Sequence, residues 1–175
     1  MNGKTGPVDQ RDIEARDDVL CYTTPALTGP IEVTGWLRLH LYFSSSALDT
    51  DITAKLVDVY PDGKALWLAD GILRARYRNS LTESELLRPR EVYEMTFRLG
   101  ATSNVFKVGH RMRLEVASSN YPRYTRNTNS GGTLAEETEA DMVVAVNHVH
   151  HGPDHRSRLT LPLIRRESSP GTIAR

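Results

Sequence analysis

Apolar and polar residues alternate one for one near the start of this chain. In Ile31 to Phe43, Leu37, Leu39, Leu41 and Phe43 fall on one face and Trp36, Arg38, His40 and Tyr42 on the other. A period of two belongs to an extended strand with one buried face, whereas a helix brings every third or fourth residue round. The pattern returns in Val92 to Leu99, with Tyr93, Met95, Phe97 and Leu99 together, and in Arg111 to Ala117, with Met112, Leu114 and Val116 inward between Arg111, Arg113 and Glu115. Val19 to Tyr22, Ile52 to Val59, Ala65 to Leu68, Ile72 to Tyr77, Met142 to Val149 and Arg158 to Ile164 supply the remaining candidate strands. Pro61-Asp62-Gly63 is a hairpin signal, because proline presets φ for the first turn position and Gly63 accepts positive φ. Helical signals are confined to Thr82-Glu83-Ser84-Glu85, stopped by Pro89, and to Thr133 to Glu136. The expectation is an all-β chain, a jelly-roll β-sandwich with one or two short helical turns.

The chain has 175 residues, enough for one substantial core. Residues 1 to 17 read as an irregular charged lead-in, 18 to 165 as the sandwich domain, and 166 to 175 as a flexible tail. With 22 basic and 22 acidic side chains, nothing in the bulk charge favours nucleic acid or an anionic membrane surface. No apolar run is long enough to cross a bilayer, and the polar N-terminus lacks the apolar stretch of a signal peptide. The single Cys21 excludes an internal disulfide and a cysteine-rich zinc site, and its place in a strand implies a buried, inert thiol. These features fit a cytoplasmic protein, although a fragment of a longer chain would lose a targeting signal too.

Candidate chemistry is sparse. No G-x-S-x-G elbow occurs, and Ser118, Ser119 and Ser44-Ser45-Ser46 have no histidine at a suggestive spacing. His148, His150, His151 and His155 cluster beside Asp154, and a turn at Gly152-Pro153 can return His155 toward His148 and His150. That is a candidate divalent-metal set, weighed against histidines at a polar strand end; the second reading is preferred because no further ligand is indicated. Asp49-Thr50-Asp51 offers oxygens to calcium but lacks the rest of a calcium loop, so capping the turn before Ile52 is the expected role. The loop from Ser118 to Gly132 carries Asn120, Tyr121, Arg123, Tyr124 and Arg126, together with Asn127 and Asn129. Such side chains bind a sugar or a protein surface, and docking against a neighbouring domain is preferred because aromatics and arginine dominate interfaces.

Several segments, taken together, resemble one family. They are Asp9-Gln10-Arg11 with Arg16 to Tyr22, Val33-Thr34-Gly35, Ser44 to Ser46 with Asp49 to Asp51, Thr53 to Val59, Pro61-Asp62-Gly63, and Gly71-Ile72 with Arg76-Tyr77-Arg78. Ala101 to Phe106, Gly109-His110-Arg111, Ser118-Ser119-Asn120, Arg126-Asn127 and Val146-Asn147-His148 complete the set. The chain resembles the C-terminal domain of the cocaine-esterase-like (CocE/NonD) serine hydrolases, which include α-amino-acid ester hydrolases and X-prolyl dipeptidyl peptidases. The resemblance implies a jelly roll similar to galactose-binding domains, attached to an α/β-hydrolase domain and a helical cap. It also implies a Ser-His-Asp triad in the catalytic part, so it carries no catalytic residue onto this sequence. The implied role is a non-catalytic domain that packs on the catalytic and cap domains and helps wall the active site. The alternative is a carbohydrate- or metal-binding jelly-roll module. Self-association through a surface meant for a neighbour is a further expectation, and no cofactor is expected.

Overall fold

The longest strand organises the fold. In the computed structural model, which describes residues 7 to 133 and 135 to 165, β2 runs from Ile31 to Ser45 and pairs on both sides. The other strands are β1 (Leu20–Thr23), β3 (Asp51–Val59), β4 (Ala65–Arg74), β5 (Tyr93–Phe106), β6 (Arg111–Ala117), β7 (Asn147–His150), β8 (Arg158–Thr160) and β9 (Leu163–Ile164). One sheet has the order β1-β6-β3-β4; the other has β5-β2, with β7, β8 and β9 in turn along the far edge of β2. Every pairing between these strands is antiparallel. The two sheets pack face to face as the expected β-sandwich.

The alternation seen in the sequence sets the core. Leu37, Leu39, Leu41 and Phe43 are buried together with Met95, Phe97, Leu99, Phe106, Leu56 and Val116, while Trp36 on the opposite face is 63% exposed. Several expected strand segments change. The strand expected at Val92 to Leu99 continues to Phe106, because a bulge between Trp36 and Arg38 absorbs Gly100 at φ +79°. The segments expected at Ala65 to Leu68 and Ile72 to Tyr77 are one strand through Arg74, closed by a 3-10 turn at Ala75–Tyr77. The strand expected from Arg158 to Ile164 is split into β8 and β9 at Leu161-Pro162, and Met142 to Val146 forms no strand. Its backbone bonds to Thr128 and Ser46, leaving only Asn147–His150 paired with β2.

Helix is minimal. The Thr82 to Glu85 signal forms none, because Ser80 caps the local turn by accepting from the Thr82 and Glu83 amides and Glu85 pairs with Arg78 at 2.6 Å. Thr133 to Glu136 closes one turn, and a capping box between Thr138 and Asp141 frames another at Glu139–Asp141. The expected irregular lead-in contains α1 (Arg11–Glu14), which is laid on the outer face of the first sheet. The preceding residues extend that sheet: the Gln10 amide donates to Ala65 and the Trp67 amide to Val8. The expected tail, residues 166 to 175, lies outside the described residues.

Gly71 lets the sheets meet. A Cβ on it would lie 2.2 Å from the Arg98 carbonyl oxygen of β5 and 2.9 Å from the Leu99 Cα, both rigid backbone. Gly71→Ala is expected to cost about 1–3 kcal/mol or more, read as a lower thermal midpoint. Gly29→Ala, with nothing within 4 Å of the new carbon, is expected to stay within about 0.5 kcal/mol of the parent.

Candidate docking surface

Asp49 and Asp51 stand at the corner between β2 and β3, where the chain changes sheets, and the carboxylates expected to cap the turn before Ile52 accept from distant segments instead. Asp49 is fully buried; its oxygens accept from the Arg76 amide at 2.9 Å, from Arg76 Nε at 2.7 Å and from Asn127 Nδ2 at 2.8 Å. Asp51 accepts from Arg74 Nε at 2.8 Å and Nη2 at 3.1 Å, and from the same Asn127 amide at 2.9 Å. Two guanidinium groups thus occupy the oxygens a calcium ion would need. One asparagine, Asn127, ties the long loop to both carboxylates.

That loop is divided in its duties. Around Asp70 of β4, Arg123 Nε forms an ion pair at 2.7 Å, and Asn120 Nδ2 and Tyr124 Oη each donate at 3.4 Å. Arg123 also lies over Trp67 at 5.2 Å. Three of the five candidates are therefore occupied within the domain. Tyr121 and Arg126 are presented outward, stacked on one another at 5.0 Å, with Arg126 also paired to Glu139.

The histidine segment comes together without making a metal centre. The His148 and His150 rings lie 6.3 Å apart and those of His150 and His155 5.5 Å. Among the described residues no three His, Cys, Asp or Glu side chains are arranged to hold a metal ion. Instead His150 Nε2 shares a hydrogen bond with Ser44 Oγ at 2.9 Å, and His155 packs edge-on against Tyr42 at 5.1 Å. The pairing of β2 with β7 makes the Ser44–His150 contact, which linear spacing did not suggest. Ser44 is buried, so its hydroxyl is closed to a substrate, and burial with the neighbouring imidazoles lowers the His150 pKa. The contact is structural.

Cys21, expected to be buried, is exposed, because β1 is an edge strand whose four residues all reach solvent. Partial desolvation pushes its thiol above the ordinary range, so it stays protonated at neutral pH.

The feature that sequence reasoning missed is an open flank. Between β1 and β6 of one sheet and β7 and β8 of the other, the sandwich does not close. A cavity of 310 Å³ reaches Leu39, Leu41, Leu56, Met112, Leu114 and Leu159. A second of 310 Å³ reaches Leu20, Phe43 and Val146, and the two share Val116 and Val149. Tyr22 of β1 and His151, just after β7, meet edge to face at 5.8 Å at this mouth. Exposed Leu20 and Val146 line the second cavity, and Met142, Val143 and Val144, just before Val146 in the chain, are exposed too. The one signal in the sequence is the unbroken apolar run Met142-Val143-Val144-Ala145-Val146, which lacks the alternation of a half-buried strand.

Removing one partner from the buried corner strands a guanidinium. Asp49→Asn is expected to cost about 3–5 kcal/mol in urea unfolding. Protease cleavage after Arg126 should rise in parallel, since Asn127 loses an acceptor.

Comparison with known proteins agrees with this architecture. Residues 2–160 match the X-Pro dipeptidyl-peptidase C-terminal non-catalytic domain. Cocaine esterase of Rhodococcus sp. (strain MB1 Bresler) is 54% identical over 165 residues, 94% of this chain and 29% of that protein. An aminopeptidase of the marine sediment archaeon Thaumarchaeota archaeon superposes with a TM-score of 0.86 at 29% identity, over 90% of this chain and 27% of that one. An α-amino acid ester hydrolase does so with a TM-score of 0.85 at 32% identity, over 89% of this chain and 27% of that one. The chain therefore spans less than a third of the length of these relatives. It belongs to the X-Pro dipeptidyl-peptidase C-terminal non-catalytic domain family, as found in CocE/NonD-type hydrolases.

Proposed function

We propose that this chain works as the non-catalytic C-terminal domain of an acyl ester or amide hydrolase, packs on its α/β-hydrolase domain and helical cap, and helps wall the active site. The open flank carries this reading. Its two adjoining cavities expose side chains that a closed sandwich buries, and contiguous apolar surface of that kind marks an interface. The occupant is the catalytic part of the same enzyme, because more than two thirds of the length of the esterase, aminopeptidase and ester-hydrolase relatives lies outside the matched region. Tyr121 and Arg126 add an aromatic and cationic anchor of the kind that dominates interfaces. The acyl-serine chemistry of the intact enzyme would reside in the catalytic part, with this domain contributing orientation and exclusion of water.

Three measurements test this. This chain alone should hydrolyse acyl esters no faster than buffer, and turnover abolished by a serine-directed inhibitor would overturn the reading. Produced alone, it should self-associate through the uncovered flank, with sedimentation showing dimers or larger species at high concentration. In the intact enzyme, Tyr22→Asp and Val146→Asp should lower stability or activity by an equivalent of at least about 1 kcal/mol. Trp36→Asp, on the outer face of the other sheet, should not; equal effects from both faces would count against docking at the flank.

A further inference from the structure

We propose that Glu14 and Glu115 share a single proton that clamps α1 onto the outer face of the first sheet, and that loss of this proton as pH rises toward neutrality loosens the clamp. Glu14 ends α1 and Glu115 points outward from β6, where the sequence pattern predicted a solvated side chain. Both are covered: their side chains are 9% and 3% exposed.

The donors facing this pair are too few. Arg113 of β6 gives one Nη1 hydrogen bond to Glu14 Oε2 at 2.6 Å. Lys55 of β3 stands 3.6 Å from Glu115 Oε2 and spends a shorter bond, 2.8 Å, on Gln10 Oε1. Cys21 of β1 sits opposite Glu115 in register, with its thiol held protonated. Arg16, following α1, and Tyr121 of the long loop line the adjoining 40 Å³ cavity, which Glu115 and Lys55 also line. Glu14 Oε1 and Glu115 Oε1 are left buried with no hydrogen-bond partner. Two buried carboxylate oxygens without donors are costly, and one proton held between the two carboxyl groups satisfies both.

The electrostatics agree with the geometry. Burial, with Glu14 adding to it and Lys55 opposing, raises the Glu115 carboxyl from 4.5 to about 7. A carboxyl whose pKa is higher in the closed state than in the open one binds its proton more tightly when closed. Its contribution is complete below about pH 4.5, declines as pH rises from there, and is gone above about pH 7. Backbone bonds from Gln10 to Ala65 and from Trp67 to Val8 hold the start of the segment independently of pH. The part set free is therefore the helical turn and the residues just after it, from Ile13 to Arg16.

The decisive experiment is a carbon-detected NMR titration of the glutamate carboxyls in the full chain, alongside amide exchange of residues 13 to 16 corrected for the intrinsic rate. The expected result is a Glu115 titration near neutrality, well above the ordinary glutamate range. Protection should fall about tenfold per pH unit between roughly pH 5 and 7 and then level off. Glu115→Gln keeps the shape and supplies a fixed N–H donor, so its protection should be flat across that range. Glu14→Gln should lower the Glu115 titration only part of the way, since burial, the largest cause of its rise, remains. If Glu115 in the unmodified chain titrates below pH 5, or if protection of residues 13 to 16 is the same at pH 5 and pH 8, the shared-proton clamp is wrong. The unmodified chain decides this even where a variant fails to fold.

Discussion

The buried ion pair between Asp49 and Arg76 is the interaction on which the architecture hangs. It sits where the chain leaves β2 for β3, and with Asp51 and Arg74 it holds the end of β4 against that corner. Leu48 accepts from the Leu87 amide and Thr50 from the Ala75 amide, so the end of β4 and the stretch around Leu87 both converge on this corner. Asn127, hydrogen-bonded to both carboxylates, brings in the long loop as well. Buried charges of this kind contribute little net stability compared with an apolar core of the same shape. What they impose is directionality: a leucine cluster at this corner would tolerate several arrangements of the loop, whereas two carboxylates with fixed donors admit one.

Much of the sandwich was legible in the sequence because the period of two is imposed by the pleat. Every residue of β2 from Leu37 to Phe43 faces the side its position in the alternation required. The misreadings share a cause in non-local contact. Glycines at 71 and 100 look like breaks in isolation, but one is demanded by the close approach of β5 and the other is absorbed in a bulge against β2. The solvent-facing positions of β6 were expected to be wet, and Glu115 is dry because the lead-in covers it. Cys21 was expected to be dry, and it is wet because β1 has no neighbour on its free edge.

The site was less legible than the fold. Asn120, Arg123 and Tyr124 have the chemistry of a binding loop, yet Asp70, far away in sequence, claims them. The histidines have the chemistry of a metal site, yet strand pairing turns His150 toward Ser44. The surface best suited to a partner is instead made by inward-facing residues that happen to be reachable. Met112 and Leu114 obey the alternation and point at the core, but the two sheets part above them. No local pattern distinguishes a core position under a closed lid from one under an open flank.

The arrangement of β2 has a kinetic consequence. Its far edge is completed in reverse, with Ser45 meeting Asn147, His40 meeting Arg158 and Glu32 meeting Ile164. These pairings join residues separated by most of the chain, so the entropy of closing very long loops must be met before any of them adds stability. Folding should accordingly be slow for a domain of this size. The first sheet and the β2–β5 ribbon can form while the edge of β2 stands bare, and the last strands zip down it from the corner toward its beginning. Until that happens, a fifteen-residue strand edge is open to pairing with another molecule. The interval before the final strands dock is when this chain is most exposed to aggregation.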